Sequence, residues 1–398
     1  MSEFNMQLPS DVFFILDKMK ELGYTAHVVG GSVRDSLLGR PLGDFDITTS
    51  ATPEETKAVF RDYKTVDTGI KHGTVTLVLN GVPYEITTYR VDGDYKDNRH
   101  PESVTFTDRL EDDLARRDFT VNAMAYNPRI GLSDPFDGRG DAARRLIRAV
   151  GDPKVRFDED ALRILRALRF ASVLGFAIED KTAIAARELS ERLPSISKER
   201  IFTELKKLVM GVDATAILYE YSDVLERVLC GLRIESLPDK DRFAKADIYS
   251  RFASLFLLNS DEPATFAERV FTDLKTDKFT RTHTISVLSA YNSIAFDDRR
   301  STLTALIQYG KEVTEGVLAL GVLTGRFADR ERDILNDALN SGVPYKISGL
   351  AIRGGDLLAI GIKGERIGET LSSLLYAVIN GEVENEKDKL ISYLFREE

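Results

Sequence analysis

Two aspartates, Asp44 and Asp46, have the residue type and the spacing of a metal site. The β-branched residues that follow them predict a strand, on which residues two apart point to the same face. Two carboxylates on one rigid face offer the hard oxygen ligands that Mg²⁺ takes, and a substrate phosphate completes its coordination. Upstream, Gly30-Gly31 lets the backbone approach a phosphate, and Arg34 follows in the first turn of a predicted helix. This pattern predicts metal-dependent chemistry on a phosphate.

A third acid, Glu85, lies in the second strand of a predicted hairpin, and an adjacent strand would bring it beside the aspartates. Three acids with two Mg²⁺ ions suit in-line nucleotidyl transfer, in which one metal activates a hydroxyl and the other steadies the leaving pyrophosphate. Ordinary structural roles explain the same residues, because an Asp-x-Asp pair is often a solvated turn and Glu85 fits a hairpin surface. The residue types alone leave both explanations open.

Strands and helices alternate in the first ~150 residues, about the length of one domain. The run 27–31 predicts a strand that enters a tight turn, and the runs 74–79 and 82–89 around Asn80-Gly81 predict a hairpin. Helical periodicity appears on either side of these strands and continues after about residue 141, where strand patterns disappear. The predicted helices are 9–22, 53–62, 158–174, 178–192, 197–210, 213–230 and 241–257. The predicted fold class is α+β: a mixed α/β head with a small antiparallel-type sheet, followed by an all-helical remainder.

The composition of the 398-residue chain excludes several classes of protein. A single cysteine, Cys230, excludes a disulfide framework and a Cys-rich zinc site. The sequence has no apolar run of about 18 residues and no signal-peptide pattern at its N-terminus, so we expect a cytoplasmic protein with no membrane partner. The length predicts two to three domains at ~150 residues each.

The pattern GG-x-VRD-x8-D-x-D at residues 30–46 resembles the signature of the class II tRNA nucleotidyltransferases. These are the CCA-adding enzymes, and the related bacterial poly(A) polymerases share the signature. Further segments resemble the family's motifs in the same order, at 68–79, 116–127, 134–141, 159–170 and 196–208. The resemblance implies a catalytic head, a nucleotide-selecting helical neck, a helical body and a tRNA-binding helical tail. The corresponding boundaries are 1–141, 142–210, 211–345 and 346–398.

The resemblance also implies an activity and assigns roles to residues. The family adds C, C and A to the 3′ end of tRNA from CTP and ATP, with Mg²⁺ and without a template. Gly31 and Arg34 would contact the triphosphate, Asp44 and Asp46 would bind Mg²⁺, and Arg117 would contact the nucleotide. The neck residues that would hold the base and the phosphates are Asp160, Arg163, Arg166 and Arg169.

The choice of C and A has a chemical basis in Asp160 and Arg163, which are three apart on a predicted helix and hence neighbours on its surface. An aspartate only accepts hydrogen bonds and an arginine only donates them. Cytosine and adenine both present an amino donor beside a ring-nitrogen acceptor, whereas guanine and uracil present a carbonyl beside an N–H. The pair therefore matches C and A, although the same charges also fit a solvated helix face with weak ion pairs.

The polar stretch 90–112 predicts a mobile loop, or else a plain surface connection. In the family such a loop is needed for the final A, and CC-adding relatives lack it, so its presence favours full CCA addition. The compact segment 347–398 and the segment 69–75 resemble CCA-adding relatives more than poly(A) polymerases. A CC-adding or A-adding variant and a poly(A) polymerase stay as alternatives. A tRNA-binding protein with an inactive head is the non-enzyme alternative.

In the tail, glycines stand beside Arg353, Lys363 and Arg366. Glycine turns that open helices offer backbone N–H groups to phosphates, so we expect 347–370 to bind the tRNA backbone, although helix capping explains the glycines equally well. The net charge of −10 argues at first against any nucleic-acid partner. Residues 139–169, however, carry nine Lys or Arg against five Asp or Glu. We therefore expect local basic patches for one folded RNA, and no DNA partner.

Overall fold

The computed structural model describes residues 4–93 and 104–395. Over these ranges the chain divides into two compact units, Met1–Arg233 and Ile234–Glu398. No helix within the described ranges is long and apolar enough to cross a membrane.

The first unit combines helices with a sheet. Its helices are α1 (Ser10–Glu21), α2 (Gly31–Leu37), α3 (Pro53–Val59), α4 (Leu110–Ala115), α5 (Gly138–Arg144), α6 (Pro153–Glu159), α7 (Leu162–Leu174), α8 (Asp180–Glu188), α9 (Lys198–Val209), α10 (Ala214–Glu220) and α11 (Ser222–Leu225). Its strands are β1 (Ala26–Val29), β2 (Asp46–Thr49), β3 (Lys64–Gly69), β4 (Thr74–Leu79), β5 (Val82–Thr88), β6 (Arg90–Asp92), β7 (Val104–Phe106), β8 (Ala125–Asn127), β9 (Gly131–Ser133), β10 (Leu146–Ile147) and β11 (Ala177–Ile178).

Within the described residues, seven strands form the main sheet in the order β3-β4-β5-β2-β1-β8-β9. Neighbouring strands are antiparallel except β2 and β5, which run parallel with Ile47 opposite Ile86. In the β1–β2 pair, Val29 lies opposite Asp46. The end of β1, the start of β2 and the middle of β5 therefore meet at one end of the sheet. The small, mostly antiparallel sheet predicted for the head is confirmed.

The two faces of the sheet have different roles. One face carries the apolar core, in which α1 and α3 pack on residues such as Val28, Ile47 and Ile86. Successive strand residues point to opposite faces, so Asp46 and Thr48 of β2 point away from Ile47 and this core. On the opposite face a smaller apolar cluster forms around Val29 and includes Leu114 of α4. The polar residues of β2 therefore face the layer that α4 and the chain after it build.

Four predicted elements differ from the structure. The predicted helix 213–230 is divided into α10 and α11 and ends at Leu225. The predicted helix 158–174 is broken into α6 and α7, and the segment expected to be purely helical after residue 141 contains the short parallel pair β10–β11. The predicted helix 241–257 is also broken, because Asp247 accepts hydrogen bonds from the backbone N–H groups of Tyr249 and Ser250 and starts a new helix there. The apolar periodicity continues across these breaks and hides them.

The described part of the second unit is helical. Its helices are α12 (Lys240–Lys245), α13 (Ile248–Asn259), α14 (Pro263–Asp273), α15 (Lys278–Ala290), α16 (Arg299–Thr324), α17 (Asp329–Asn340), α18 (Gly354–Ala359), α19 (Arg366–Ile379) and α20 (Lys387–Leu394). Gly310 interrupts α16 with a φ of 77°. The C-terminal helices have an apolar core of their own, with Leu357, Leu374 and Leu390 at its centre.

Candidate active site

Asp44, Asp46 and Glu85 gather at the end of the sheet where β1 and β2 meet. Asp46 is the first residue of β2, and Glu85 precedes the residue that pairs with Ile47. The prediction that both aspartates lie on the strand is wrong for Asp44. Opposite this point β1 ends at Val29 and the chain turns into α2, so the residues before Asp46 have no partner in β1.

The electrostatics of the acids fit a cation site. Asp44 and Asp46 are both exposed residues, as a site that receives a ligand requires. Neighbouring protein atoms still remove part of the water around the Asp46 carboxylate and raise its pKa. The negative charge of Glu85 raises this pKa further, Arg117 lowers it, and Asp44 raises it again. A cation would relieve this crowding of negative charge, so the donor set fits a hard metal ion.

Glu85 is near Asp46, but a complete set of metal ligands is not assembled. Among the residues that the structure describes, no three His, Cys, Asp or Glu side chains are arranged to hold one ion. A metal at this position would depend on the aspartates and on oxygen atoms that a substrate brings. Glu85 remains a predicted third acid.

The turn between β1 and α2 requires glycine. Gly30 has a φ of 78°, a backbone conformation that other residues rarely adopt. A Cβ atom on Gly30 would lie 3.3 Å from Nη1 of Arg117, and one on Gly31 would lie 3.6 Å from Nη2 of Arg34. The turn therefore lies directly against two of the predicted nucleotide-binding arginines.

Arg34 is buried and held from several sides. Its Nη1 donates to Oδ1 of Asn122 over 2.6 Å, and its Nε and Nη2 each donate to the Asp35 carboxylate over 3.0 Å. Its guanidinium also lies 5.2 Å from the centre of the Phe170 ring. Arg34 thus connects α2 to the segment after α4 and to α7.

Arg117 lies between the acids and the glycine turn. Its Nη2 donates to Oδ2 of Asp113 over 3.2 Å. Its Nε is buried and has no hydrogen-bond partner among the described residues. A buried donor without a partner costs free energy, and a ligand oxygen would satisfy it. Arg117 is therefore placed to contact an anionic ligand beside Asp46.

Asp160 and Arg163 do not lie on one continuous helix, so that prediction is wrong. Asp160 has extended backbone angles (φ −144°, ψ 102°) and lies between α6 and α7. Its carboxylate accepts from the backbone N–H of Leu162 over 3.0 Å and from Nη2 of Arg200 over 2.9 Å. These contacts explain the break, because a side chain that bonds the backbone two residues ahead competes with helix geometry.

Arg163 is oriented by other partners. Its Nη1 donates to Oε2 of Glu159 over 2.6 Å and to the backbone carbonyl of Arg156 over 3.2 Å. Its Nη2 donates to the backbone carbonyl of Arg116 over 3.1 Å. The arginine predicted to select the base is thus hydrogen-bonded to the backbone of Arg116, the residue next to Arg117. Only part of its guanidinium is engaged, since an arginine has five N–H donors.

Arg166 and Arg169 bind acids rather than standing free on the helix surface. Nε and Nη2 of Arg166 donate to Oδ2 of Asp118 over 2.8 and 2.6 Å. Burial alone would raise the pKa of Asp118, but Arg166 and the hydrogen bonds to the carboxylate lower it to about 2. Arg169 lies 2.6 Å from Oε2 of Glu204 in α9, and its guanidinium is 3.7 Å from the centre of the Phe170 ring. The two arginines tie α7 to the neighbouring chain segments.

The centre of the predicted loop 90–112 falls on residues 94–103, which lie outside the described residues. The residues on either side pair as the ribbon β6–β7. Phe106 at the end of this ribbon packs over Gly73, where a Cβ would come within 2.9 Å of the Phe106 ring. Arg90 donates to the carbonyl of His72. The base of the predicted loop is therefore attached to the segment 69–75.

The glycines of the tail lie at turns and next to helix starts. Gly361 and Gly364 have positive φ angles of 95° and 64°, as turns between helices require. Gly354 and Arg366 are the first residues of α18 and α19. Arg353 uses Nη1 to bind the carbonyl of Leu350 over 2.6 Å. RNA contact by Arg353, Lys363 and Arg366 stays a prediction.

Several residues of the site were missed by the sequence interpretation, above all Asp113, Glu159, Arg200 and Glu204. Arg200 stands four residues before Glu204 in α9, so both lie on one helical face, and this spacing was the available signal. Asp113 stands four residues before Arg117, but α4 ends at Ala115 and Arg117 lies beyond it. The partners across the fold, such as Asp118 with Arg166, are 48 residues apart and left no local signal.

Comparison with known proteins agrees with this geometry. The family model of the poly A polymerase head domain matches residues 26–148, and that of the probable RNA and SrmB-binding site of polymerase A matches 175–223. The putative tRNA nucleotidyltransferase domain 2 matches residues 250–394.

Curated relatives match over the full length. The CCA-adding enzyme of Lactobacillus delbrueckii subsp. bulgaricus is 38% identical over 386 residues, which are 96% of either chain. The CCA-adding enzyme of Streptococcus mutans is 37% identical, and the alignment covers 100% of this chain and 98% of that enzyme.

Solved structures share the fold. The Bacillus stearothermophilus CCA-adding enzyme in complex with CTP has a TM-score of 0.80 at 34% identity and covers 98% of both chains. The Thermotoga maritima CCA-adding enzyme complexed with tRNA-CCA has a TM-score of 0.72 at 23% identity, with 100% of both chains covered. The two curated relatives are 37% and 38% identical to this chain over nearly its full length, and the Bacillus stearothermophilus enzyme has the same fold. The chain therefore belongs to the family of the CCA-adding enzymes.

Proposed function

We propose that this protein adds C, C and A to the 3′ end of tRNA from CTP and ATP, without a template and with release of pyrophosphate. The observation that supports this most is the position of Arg117, next to Gly30 on one side and close enough to Asp46 to lower its pKa on the other. This brings an arginine for a triphosphate, a turn that admits a phosphate and carboxylates for a metal to one end of the sheet. The curated CCA-adding enzymes are similar in sequence to this chain over 96% to 100% of its length.

The reaction joins the tRNA 3′ oxygen to the α-phosphorus of the nucleotide. The bond between the α-phosphorus and the bridging oxygen to the β-phosphate breaks, and pyrophosphate leaves with its electron pair. Nucleotidyltransferases of this superfamily generally depend on a divalent metal. We propose Mg²⁺, held by Asp44 and Asp46, which would lower the pKa of the 3′ hydroxyl and neutralise charge on the phosphates.

The chain's own residues bind and orient the triphosphate. Gly30 and Gly31 have no side chain between the backbone and an incoming phosphate. Arg117 would donate its unpartnered Nε and neighbouring N–H groups to phosphate oxygens. Arg34 is already bound to Asp35 and Asn122, so we assign it a supporting position behind the turn with a smaller direct share in binding.

Base selection remains assigned to Asp160 and Arg163, with their partners taken into account. Each carboxylate oxygen of Asp160 accepts one hydrogen bond from the protein and retains a lone pair for a base amino group. Arg163 retains N–H groups for a ring nitrogen beyond the three that bind Glu159 and the carbonyls of Arg116 and Arg156. Their side chains are only 14% and 10% exposed, so a mismatched G or U would leave poorly solvated groups unpaired.

We further propose the division into head, neck, body and tail at residues 1–141, 142–210, 211–345 and 346–398. In this division the tail, with Arg353, Lys363 and Arg366, holds the tRNA backbone. Arg166 and Arg169 would fix the neck helix that carries Arg163, and Glu85 would assist the metal site. The activity implies a cytoplasmic location, where tRNA and nucleotides are present.

Incorporation assays test the proposal. The purified protein is incubated with tRNA that lacks its 3′ CCA, with CTP or ATP labelled singly and together, with and without Mg²⁺. We expect CMP incorporation first and AMP only after CMP, both abolished by a chelator and restored by Mg²⁺. Binding of tRNA without any incorporation would instead support the inactive-head alternative.

A further inference from the structure

Asp113 is a buried carboxylate that joins several parts of the candidate active site. Nε and Nη2 of Arg116 donate to its Oδ1 over 3.0 and 2.7 Å. Its Oδ2 accepts from Nη2 of Arg117 over 3.2 Å and lies 3.2 Å from Oγ1 of Thr48. The side chain is 0% exposed. Burial alone would raise the pKa of Asp113, but Arg116 and Arg117 more than offset burial and hold the pKa below its usual value.

The partners of Asp113 belong to the parts that the reaction must align. Thr48 stands two residues after Asp46 on β2 and therefore points to the same face of the strand. Arg117 lies against the glycine turn at Gly30. The backbone carbonyl of Arg116 accepts from Arg163 in α7. One carboxylate thus links the metal-binding strand, the triphosphate arginine and the base-selecting arginine.

We propose that Asp113 is a positioning residue for nucleotide binding, which fixes Arg117 relative to β2 and fixes Arg163 through Arg116. This inference rests on the proposed function, since it concerns how that site holds CTP and ATP. An arginine side chain has many rotamers, and ordering it on binding costs affinity. The bond from Nη2 to Asp113 orders Arg117 in advance and leaves its Nη1 beside Gly30, while the guanidinium charge stays close enough to Asp46 to lower the pKa of that carboxylate.

The chain offers a matched control in Asp141. Its buried carboxylate also joins two arginines and a threonine: Nη2 of Arg144 at 2.7 Å, Nε of Arg148 at 2.8 Å and Oγ1 of Thr120 at 2.6 Å. Its arginines have no proposed contact with the nucleotide. Loss of the Asp141 charge therefore reports what the removal of a comparable buried ion cluster does to the fold alone.

The test compares D113N, D141N, R117A and the double variant D113N/R117A with the wild-type protein. For each, we would measure Tm, the affinity for CTP and ATP by calorimetry, and kcat/KM for both nucleotides at saturating tRNA. We expect both Asn variants to lower Tm. Only D113N should lower nucleotide affinity and kcat/KM, by about 10- to 100-fold, the loss typical of groups that orient a ligand-binding residue.

The double variant separates positioning from a general effect on folding. If Asp113 acts through Arg117, D113N should cost markedly less in the R117A background than in the wild type. The proposal would be overturned if D113N reduced nucleotide affinity by the same factor with and without R117A. It would also be overturned if D113N left the affinity unchanged, or if D141N reduced the affinity as much as D113N does. If D113N does not fold, R116Q takes its place, because the Arg116 side chain is 17% exposed and its loss leaves the bond between Asp113 and Arg117. R116Q should then lower kcat/KM several-fold, and an unchanged value would contradict the role.

The two proposals fail in different ways. A wild-type protein that binds CTP but incorporates nothing into tRNA would refute the proposed function. A D113N variant that binds CTP as tightly as the wild type would refute the role of Asp113, whatever the reaction.

Discussion

The carboxylate of Asp160 accepts a hydrogen bond of 2.9 Å from Nη2 of Arg200, which is 40 residues away in the sequence. The same carboxylate accepts from the backbone N–H of Leu162, the first residue of α7, so its orientation is fixed from two sides. Nη1 of Arg200 is buried without a hydrogen-bond partner among the described residues. The acceptor that would recognise the amino group of C and A is thus held by a residue of α9, outside the helix that we expected to select the base.

Replacing Arg200 should therefore reduce base selection. In R200Q the Asp160 carboxylate loses its charged partner and gains rotamer freedom, so we predict a 10- to 100-fold loss in kcat/KM for CTP. Incorporation of GTP and UTP should fall less, so the preference of the enzyme for CTP over GTP and UTP should become smaller. Single-nucleotide assays with all four NTPs measure this. R192Q is the control, because Arg192 pairs with Asp158 at the surface nearby, and it should keep wild-type selectivity.

Gly30 tests the close approach of the turn to Arg117. In G30A the new Cβ would lie 3.3 Å from Nη1 of Arg117, and a φ of 78° is unfavourable for alanine. We predict a loss of roughly 1–3 kcal/mol in the free energy of unfolding from the backbone, together with a clear rise in KM for both nucleotides.

Gly39 separates these two effects. It also has a positive φ, of 64°, but a Cβ there would meet no atom within 4 Å in the described part of the chain. G39A should also lose stability in urea denaturation, and it should keep the wild-type nucleotide KM. A G30A variant with wild-type KM would show that Arg117 does not need this approach.

Phe106 tests whether the base of the segment 90–112 matters for the final nucleotide. Its ring packs over Gly73 and anchors the ribbon β6–β7. In F106A the ribbon loses this contact, and we predict that AMP addition slows several-fold more than CMP addition. Single-turnover rates on tRNA ending in CC and on tRNA without CCA give the ratio. V91A changes another exposed apolar side chain of the same ribbon and should leave this ratio unchanged.

His27 gives the chain a pH-dependent stability. Burial lowers its pKa to about 4, and Glu111 opposes this only in part. Because the unfolded chain takes up a proton at a pKa of about 6.5, the folded state binds fewer protons and loses stability as the pH falls from about 6.5 to 4. This group should cost about 3 kcal/mol across that window.

The variant H27N isolates this effect. Asparagine cannot titrate there and can still bond the hydroxyl of Tyr89, which lies 2.8 Å from Nδ1 of His27. In urea denaturation, the wild-type protein should lose stability relative to H27N between pH 7 and pH 4.5. Parallel pH profiles of the two proteins would show that His27 is not the group involved.

How much the sequence predicted depended on whether the determining interaction was local. The hairpin β4–β5 was predicted because Asn80-Gly81 specifies the turn, and Asn80 and Gly81 have the positive φ angles that such a turn needs. The glycine turn before α2 was predicted for the same reason. The break at Asp160 was not, because the apolar period continues through it and its cause includes Arg200, which is distant in sequence.

The candidate site residues show the same division. Asp44, Asp46 and Arg117 were predicted from short motifs, and in the structure Arg117 lies close enough to Asp46 to lower the pKa of that carboxylate. Asp113 and Glu204 are ordinary acids in the sequence, and their roles depend on arginines from other segments. Arg166 was predicted for the nucleotide, yet it binds Asp118, a contact that only the folded chain makes.

The most direct test of the account is the sequence of the product made on tRNA that lacks its 3′ CCA, with all four NTPs present. Wild-type protein should produce tRNA that ends in CCA and then stop, D46N should produce nothing, and the surface variant D62N should behave as wild type. A long run of A on the RNA would identify a poly(A) polymerase, and CC without A would identify a CC-adding enzyme. Unchanged activity in D46N, or a product with G or U in its end, would contradict the site proposed here.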